Sequence, residues 1–269
     1  MSSSDYWENR EARVKKLITD KSIKEVETQL TDYYARALRD TMVSFVDTYE
    51  KVMKAGDKPT PADLYNLDKY WEMMKQLETE LTNLGRKEIA LLGEKFELQW
   101  KAIYDELAYP TDKMFAVVSK AGARQMINQV WCADGLSWSE RVWNNIDLLR
   151  DTLNQNLITC VTTGKRTRQL KQILMDTFSV SYKRAETLVR TEMAHIETQA
   201  AAQRYKDSGI EYYKFLASTD HRTCDECAAL DGKKFRVDAM EIGVNAPPMH
   251  PNCRDTIVPV QNAPSAQQK

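Results

Sequence analysis

Cys224 and Cys227 form a Cys-x-x-Cys pair, and after 22 intervening residues His250 and Cys253 form a His-x-x-Cys pair. Four soft or borderline donors in two close pairs suit a closed tetrahedral zinc site, in which each pair holds the ion from one loop and together they clamp two distant segments. A small loop-rich region with little apolar content cannot be stabilised by burial alone, and structural zinc contributes about 10–16 kcal/mol in small peptides at neutral pH. Two other readings use the same residues. They are reduced buried thiols beside an unrelated histidine, or a Cys224–Cys227 disulfide of the reactive dithiol type, whose βαβ context this sequence lacks. A catalytic zinc would need three protein ligands, an open position and a base such as Glu226 or Asp220; four ligands point to a structural ion.

The remaining reactive residues read more plainly. His221 beside Asp220 is a loop residue, and His195 falls on a helical pattern as a surface or satisfied histidine rather than a base. Cys132 and Cys160 lie on helical segments as inert core thiols. Five cysteines are an odd number and too few for a disulfide framework, which points to a reducing compartment during folding. Lys165, Arg166, Arg168 and Lys171 open a stretch, 165–206, with nine Lys and Arg against four Asp and Glu. Such an excess suits DNA phosphates or an acidic partner surface, and a solvated helix face explains it equally well.

The elements that must position these groups follow from composition and periodicity. Nine Gly and eight Pro in 269 residues are about half the average share, and turn-rich β architectures need more of both. The chain reads as mainly α, with long helices and a small α+β, loop-rich C-terminal module organised by zinc. All six Trp precede position 150, whereas five of the eight Pro follow position 246, beside the proposed ligands. Two unlike kinds of chain meet near position 209. Ile23, Val26, Leu30, Tyr33 and Ala37, then after one slip Leu38, Met42, Phe45, Tyr49 and Val52, predict a helix over about 5–55 with a heptad-like seam. It stops at 55–59.

Thr60-Pro61-Ala62-Asp63 supplies the cap, proline and acid that open a second helix over 61–107, carrying Leu64, Leu67, Trp71, Met74, Leu77, Leu81 and Leu84. The pattern weakens around Gly85 and Gly93. A short turn between two long helices suggests an antiparallel hairpin. Pro110-Thr111-Asp112 restarts a helix that runs to about Cys132, the capping box Ser137-Trp138-Ser139-Glu140 opens another, and a last one is expected over 182–206. Strands are expected over 210–216, 234–237 and 256–260, with loop between them and a disordered tail over 262–269. The domains drawn from this are a helical region, 1–160, and a C-terminal domain, 161–261. The 38 basic and 39 acidic side chains leave no overall basic field for DNA. No run approaches a membrane helix, and the polar start encodes no export.

From residue 185 onward the order of motifs is specific in combination. Leu188-Val189-Arg190-Thr191-Glu192 is followed by Asp220-His221-Arg222-Thr223-Cys224, by Cys227 and by Leu230-Asp231-Gly232, and then by Pro247-Pro248-Met249-His250-Pro251-Asn252-Cys253-Arg254. This stretch, about 160–260, resembles the phage Mu F-like minor head proteins, the phage head morphogenesis family. The family pattern ends Cys-Arg-Cys, whereas Asp255 follows Arg254 here, so His250 becomes necessary to a four-ligand site. The resemblance implies a minor capsid protein of a tailed-phage virion, a structural and interaction protein inside the head near the portal, with a role in procapsid assembly, DNA packaging or DNA ejection. The partners it implies are the portal protein, and scaffold or major capsid protein. One alternative is a DNA-binding protein ejected with the genome. Another is an ADP-ribosyltransferase-like enzyme, since some proteins with this domain are fused to toxins. That enzyme needs a strand-borne Arg, a Ser-Thr-Ser-like element and a late Glu, whereas Arg190 falls on a helical pattern; no catalytic residue is assigned.

Overall fold

The computed structural model describes residues 3–54, 60–107 and 120–260. The helix stop at 55–59, the restart at Pro110-Thr111-Asp112 and the tail over 262–269 lie outside the described residues. The chain is mainly helical. In order it forms α1 (Ser3–Lys54), α2 (Pro61–Tyr65), α3 (Asp68–Glu106), α4 (Lys120–Ile127), α5 (Trp138–Thr162), α6 (Thr167–Asp207), β1 (Tyr212–Leu216), α7 (Asp225–Leu230), β2 (Lys234–Arg236) and β3 (Thr256–Val260). None of the described helices is long and apolar enough to cross a membrane. The chain divides into two compact units, each drawn from separated stretches of sequence.

One unit gathers Glu27–Leu91 and Ser139–Glu186, so α1, α3, α5 and α6 each contribute to it. Along α1 the buried seam is Leu30, Tyr34, Ala37, Thr41, Phe45, Thr48, Tyr49 and Val52. The slip expected from apolar positions alone is absent because Thr41 and Thr48 occupy seam positions, and Tyr34 rather than Tyr33 faces inward. α1 and α3 run antiparallel as a hairpin, since Tyr34 donates to Glu88 Oε2 at 3.3 Å while Asp47 and Lys69 flank one cleft. The helix expected over 61–107 is interrupted. The capping box of Thr60 and Asp63 opens the five-residue α2, which Asn66 closes before α3 begins. That break turns Tyr70 and Met73 into the core and leaves Trp71 58% exposed, its indole donating to the Tyr65 carbonyl at 2.9 Å. Gly85 accounts for the weakened pattern. A Cβ there would stand 2.6 Å from the Trp143 ring of α5, so the indole occupies what a side chain would fill.

A buried polar chain crosses the same unit. Tyr34 accepts from Asn145 Nδ2 at 3.0 Å, and Asn145 also donates to the Ser181 carbonyl at 3.2 Å. Glu88 Oε1 has no partner among the described residues, and burial pushes this carboxyl up to about 7.

The other unit gathers the described residues of Met1–Val26, Leu92–Trp138 and Thr187–Lys269. Its three-stranded sheet has order β2-β1-β3 and is antiparallel throughout, pairing Tyr213 with Phe235 on one side and with Pro259 on the other. Pro259 is tolerated because β3 is an edge. Tyr213 and Phe215 alternate into the core, where Val237, Ile257 and Val258 also lie. The first helix reaches this sheet: Lys15, fully buried, donates to the Ile257 carbonyl, and Tyr205 donates to Glu11. Glu197 accepts from Thr19 and from Thr256, each at 2.6 Å.

Three features differ from the sequence expectations. α4 ends at Ile127, so Cys132 sits in the following turn, half-buried, rather than on a helix. α6 begins at Thr167, 15 residues before the expected start, because Leu170, Leu174, Phe178 and Ser181 continue its buried face. The loop between the first two strands contains α7.

Candidate metal centre

The Cys-x-x-Cys pair is shaped by α7. Cys224 is its N-cap, with extended backbone, and its sulfur accepts the Cys227 backbone N–H at 3.4 Å. A thiol at an N-cap is offered orphan helix donors, and this one is held below its usual value, first by the Cys227 N–H and further by His250. One turn on, Cys227 points inward; burial, then contacts with Asp255 and Cys224, push its thiol up. The second pair lies on a tight turn in which the Cys253 N–H returns to the His250 carbonyl at 3.1 Å and Asn252 adopts a φ of 59°. Asparagine is among the few side chains that accept this left-handed region at low cost.

The two pairs meet. His250 Nε2 lies 3.4 Å from Cys227 Sγ, and its Nδ1 lies 2.9 Å from the Pro251 carbonyl. A proton on Nδ1 satisfies that carbonyl and leaves the Nε2 lone pair on the sulfur side, the orientation expected of a metal-ligating imidazole. The carbonyl, and after it Cys224, raise the His250 pKa. Donors around one tetrahedral zinc lie about 3.3–3.8 Å apart, so this spacing fits. Cys224, Cys227 and His250 form one group whose donor atoms all lie within 4.8 Å of one another. Cys253 falls in a second such group, with Cys227 and Asp255, and burial pushes its thiol up to about 11. Cys227 belongs to both.

Asp255 is the residue that sequence reasoning missed. It is 8% exposed, with Oδ2 3.1 Å from Cys253 Sγ and Oδ1 accepting the Ser218 N–H at 2.8 Å. The available signal was its place, directly after Cys253-Arg254.

The motif residues frame this cluster. Arg254 grips Asp220 with two bonds of 2.5 and 2.7 Å, joining the segment before the first pair to the segment after the second. That guanidinium, followed by the Arg222 backbone N–H, holds the Asp220 carboxyl well below the usual carboxylate range. The Arg222 side chain itself is exposed, its guanidinium 3.9 Å from Asp220. Asp231 accepts the Ala217 N–H at 2.9 Å, and Gly232, at a φ of 73°, donates to the Phe215 carbonyl. On α6, Thr191 Oγ1 accepts the Asn252 N–H at 3.1 Å, seating the second knuckle on the helix. Its neighbours diverge. Arg190 is exposed, while Glu192 is buried and accepts from Trp131 Nε1 at 3.0 Å. His195 is fully buried and stacks on Trp131, the ring centroids 4.5 Å apart, and so is not a surface residue.

Lys165, Arg166, Arg168 and Lys171 belong to the other compact unit, at the turn around Gly164 and the start of α6. Arg166, Arg168 and Lys171 are exposed, and none makes an ion pair among the described residues.

Comparison with known proteins bears on residues 151–258, which match the family described as phage Mu protein F like protein. Over 108 residues the chain is 31% identical to NAD(+)–arginine ADP-ribosyltransferase EFV of Enterococcus faecalis, an overlap of 39% of this chain and 22% of that protein. The chain thus spans about a fifth of that relative's length. No solved structure gives a significant match.

Proposed function

We propose, because residues 151–258 match the family described as phage Mu protein F like protein, that the protein is a minor head protein of a tailed phage, acting in head morphogenesis as a structural and interaction protein. On this reading it resides in the virion, inside the head near the portal, and serves procapsid assembly, DNA packaging or DNA ejection. Its partners are the portal protein and scaffold or major capsid protein. The helical region, 1–160, supplies long faces suited to packing on such surfaces, and the domain over 161–261 supplies the family framework.

The observation that carries this reading is what the family motif does. Asp220, Asp231, Gly232 and Arg254 each close a contact within the C-terminal module and Thr191 ties it to α6, so that their bonds hold loops in place. An ADP-ribosyltransferase-like reading finds less support, since Arg190 lies on α6 and Glu192 is buried against Trp131. The chain is therefore read as non-enzymatic. A structural zinc ion drawn into Cys224, Cys227, His250 and Cys253 would supply the cohesion that a small apolar core lacks.

Counting this protein in purified virions and procapsids, with identification of its crosslinked neighbours, tests the proposal. A few copies per particle crosslinked to the portal are expected; absence from both particles overturns it. The exposed side chains of Arg166, Arg168 and Lys171 favour a second role in non-specific DNA contact. That role requires a mobility shift that weakens with salt and weakens further when Arg166 and Arg168 are replaced by Ala.

A further inference from the structure

The two donor groups that share Cys227 differ in their surroundings. Cys224 and His250 are half-exposed, whereas Cys227, Cys253 and Asp255 are all buried. A buried carboxylate needs a charge partner, and Arg254 gives Asp255 only a longer-range attraction, because it directs both Nη atoms to Asp220. What Asp255 faces instead is sulfur, 3.1 Å away. Zinc takes cysteine as the thiolate. A Cys253 thiolate at that distance from a carboxylate brings two anions together, with Cys227 a third within 4.8 Å, and a cation among them resolves the arrangement. A tetrahedral ion with Zn–S of about 2.3 Å and Zn–O of about 2.1 Å sets these donors about 3.6 Å apart, so the 3.1 Å spacing asks Asp255 to move by roughly half an ångström.

We propose that Asp255 is itself a metal ligand, holding the ion with Cys227 and Cys253 on the buried side of the cluster, while the fourth position is filled from the half-exposed pair Cys224 and His250. This rests on reading the cluster as a zinc site. It changes the donor set to mixed sulfur and oxygen, and makes Cys224 and His250 partly interchangeable.

The test uses the full chain, with zinc content measured directly and affinity measured by competition with a chromophoric chelator. Asp255→Asn keeps an oxygen for the Ser218 N–H but is a poor ligand. It should weaken zinc binding by more than about 100-fold, beyond the 10–100-fold typical of groups that only support a ligand. Asp255→Cys should restore affinity and, in the cobalt-loaded protein, add intensity to the sulfur-to-metal charge-transfer band. Loss of Cys224 or of His250 alone should cost far less than loss of Cys227. If Asp255→Asn binds zinc as tightly as the unmodified chain, or Asp255→Cys adds no sulfur band, Asp255 is not a ligand while the zinc reading stands. If the unmodified chain takes up no zinc, that reading itself fails.

Discussion

The helical unit formed by Glu27–Leu91 and Ser139–Glu186 and the C-terminal module over residues 212–260 solve stability in opposite ways. In the first, Leu30, Phe45 and Val52 of α1, Leu77 and Leu81 of α3, Leu149, Leu153 and Leu157 of α5, and Leu170, Leu174 and Phe178 of α6 repeat one kind of contact many times. In the second, Tyr213, Phe215, Val237, Ile257 and Val258 give a small core, and the rest depends on single bonds between named partners. Repetition spreads the energy, so the loss of one member is shared by its neighbours. A framework of unlike contacts has no substitutes, and its residues leave a recognisable motif for that reason.

That contrast can be broken by experiment. The largest effect is expected for Cys227→Ser, which removes the donor common to both groups. Zinc content should fall from about one per chain to near zero, and limited proteolysis should open cuts within 217–256 while the helices of the other unit stay resistant. Equal cleavage of both regions would erase the distinction. Leu153→Ala should cost about 2–5 kcal/mol in urea denaturation and leave zinc content unchanged.

Glu88 is the exception inside the repetitive unit, and its carboxyl is raised from 4.5 to about 7. The folded state therefore holds a proton that the unfolded chain releases above about 4.5. The associated stability is fully present below that pH and lost as pH rises through about 7, an effect on the order of 3 kcal/mol. Glu88→Gln should flatten this dependence and be the more stable protein at pH 8; an unchanged profile would show that Glu88 is not the source. The smallest effect is expected for Thr191→Val. Loss of the Asn252 N–H partner should destabilise the module by about 1 kcal/mol, measured by hydrogen exchange at Asn252 and Cys253.

The same contrast decided what could be read in advance. Heptad spacing located α1 and most of α3, because burial selects for repetition. It failed where a polar residue took a seam position, as Thr41 and Thr48 do, and where a short break re-aimed the face, as Asn66 does for Tyr70 and Trp71. The early start of α6 was hidden by the charged residues around Thr167, although the spacing of Leu170, Leu174 and Phe178 was present. In the module, residue types named candidate donors, but chemistry on two separate loops could not tell which atoms would face each other. Asp255 was noted only as standing where the family pattern has its last cysteine, and only the fold buries it against Cys253 while giving Arg254 to Asp220. The burial of Glu88, and which of its two readings His195 follows, were likewise hidden, since burying a titratable group is a tertiary event.

The indole of Trp143 resting on Gly85 makes two positions 58 residues apart share one volume. Neither can vary freely. Gly85→Ala alone should overfill the space, at a cost of about 1–3 kcal/mol, whereas the same change beside a smaller residue at 143 should be tolerated. Among relatives of this chain the pair should therefore be exchanged together, large facing small in either order. That compensation would report the distance between two helices from sequences alone.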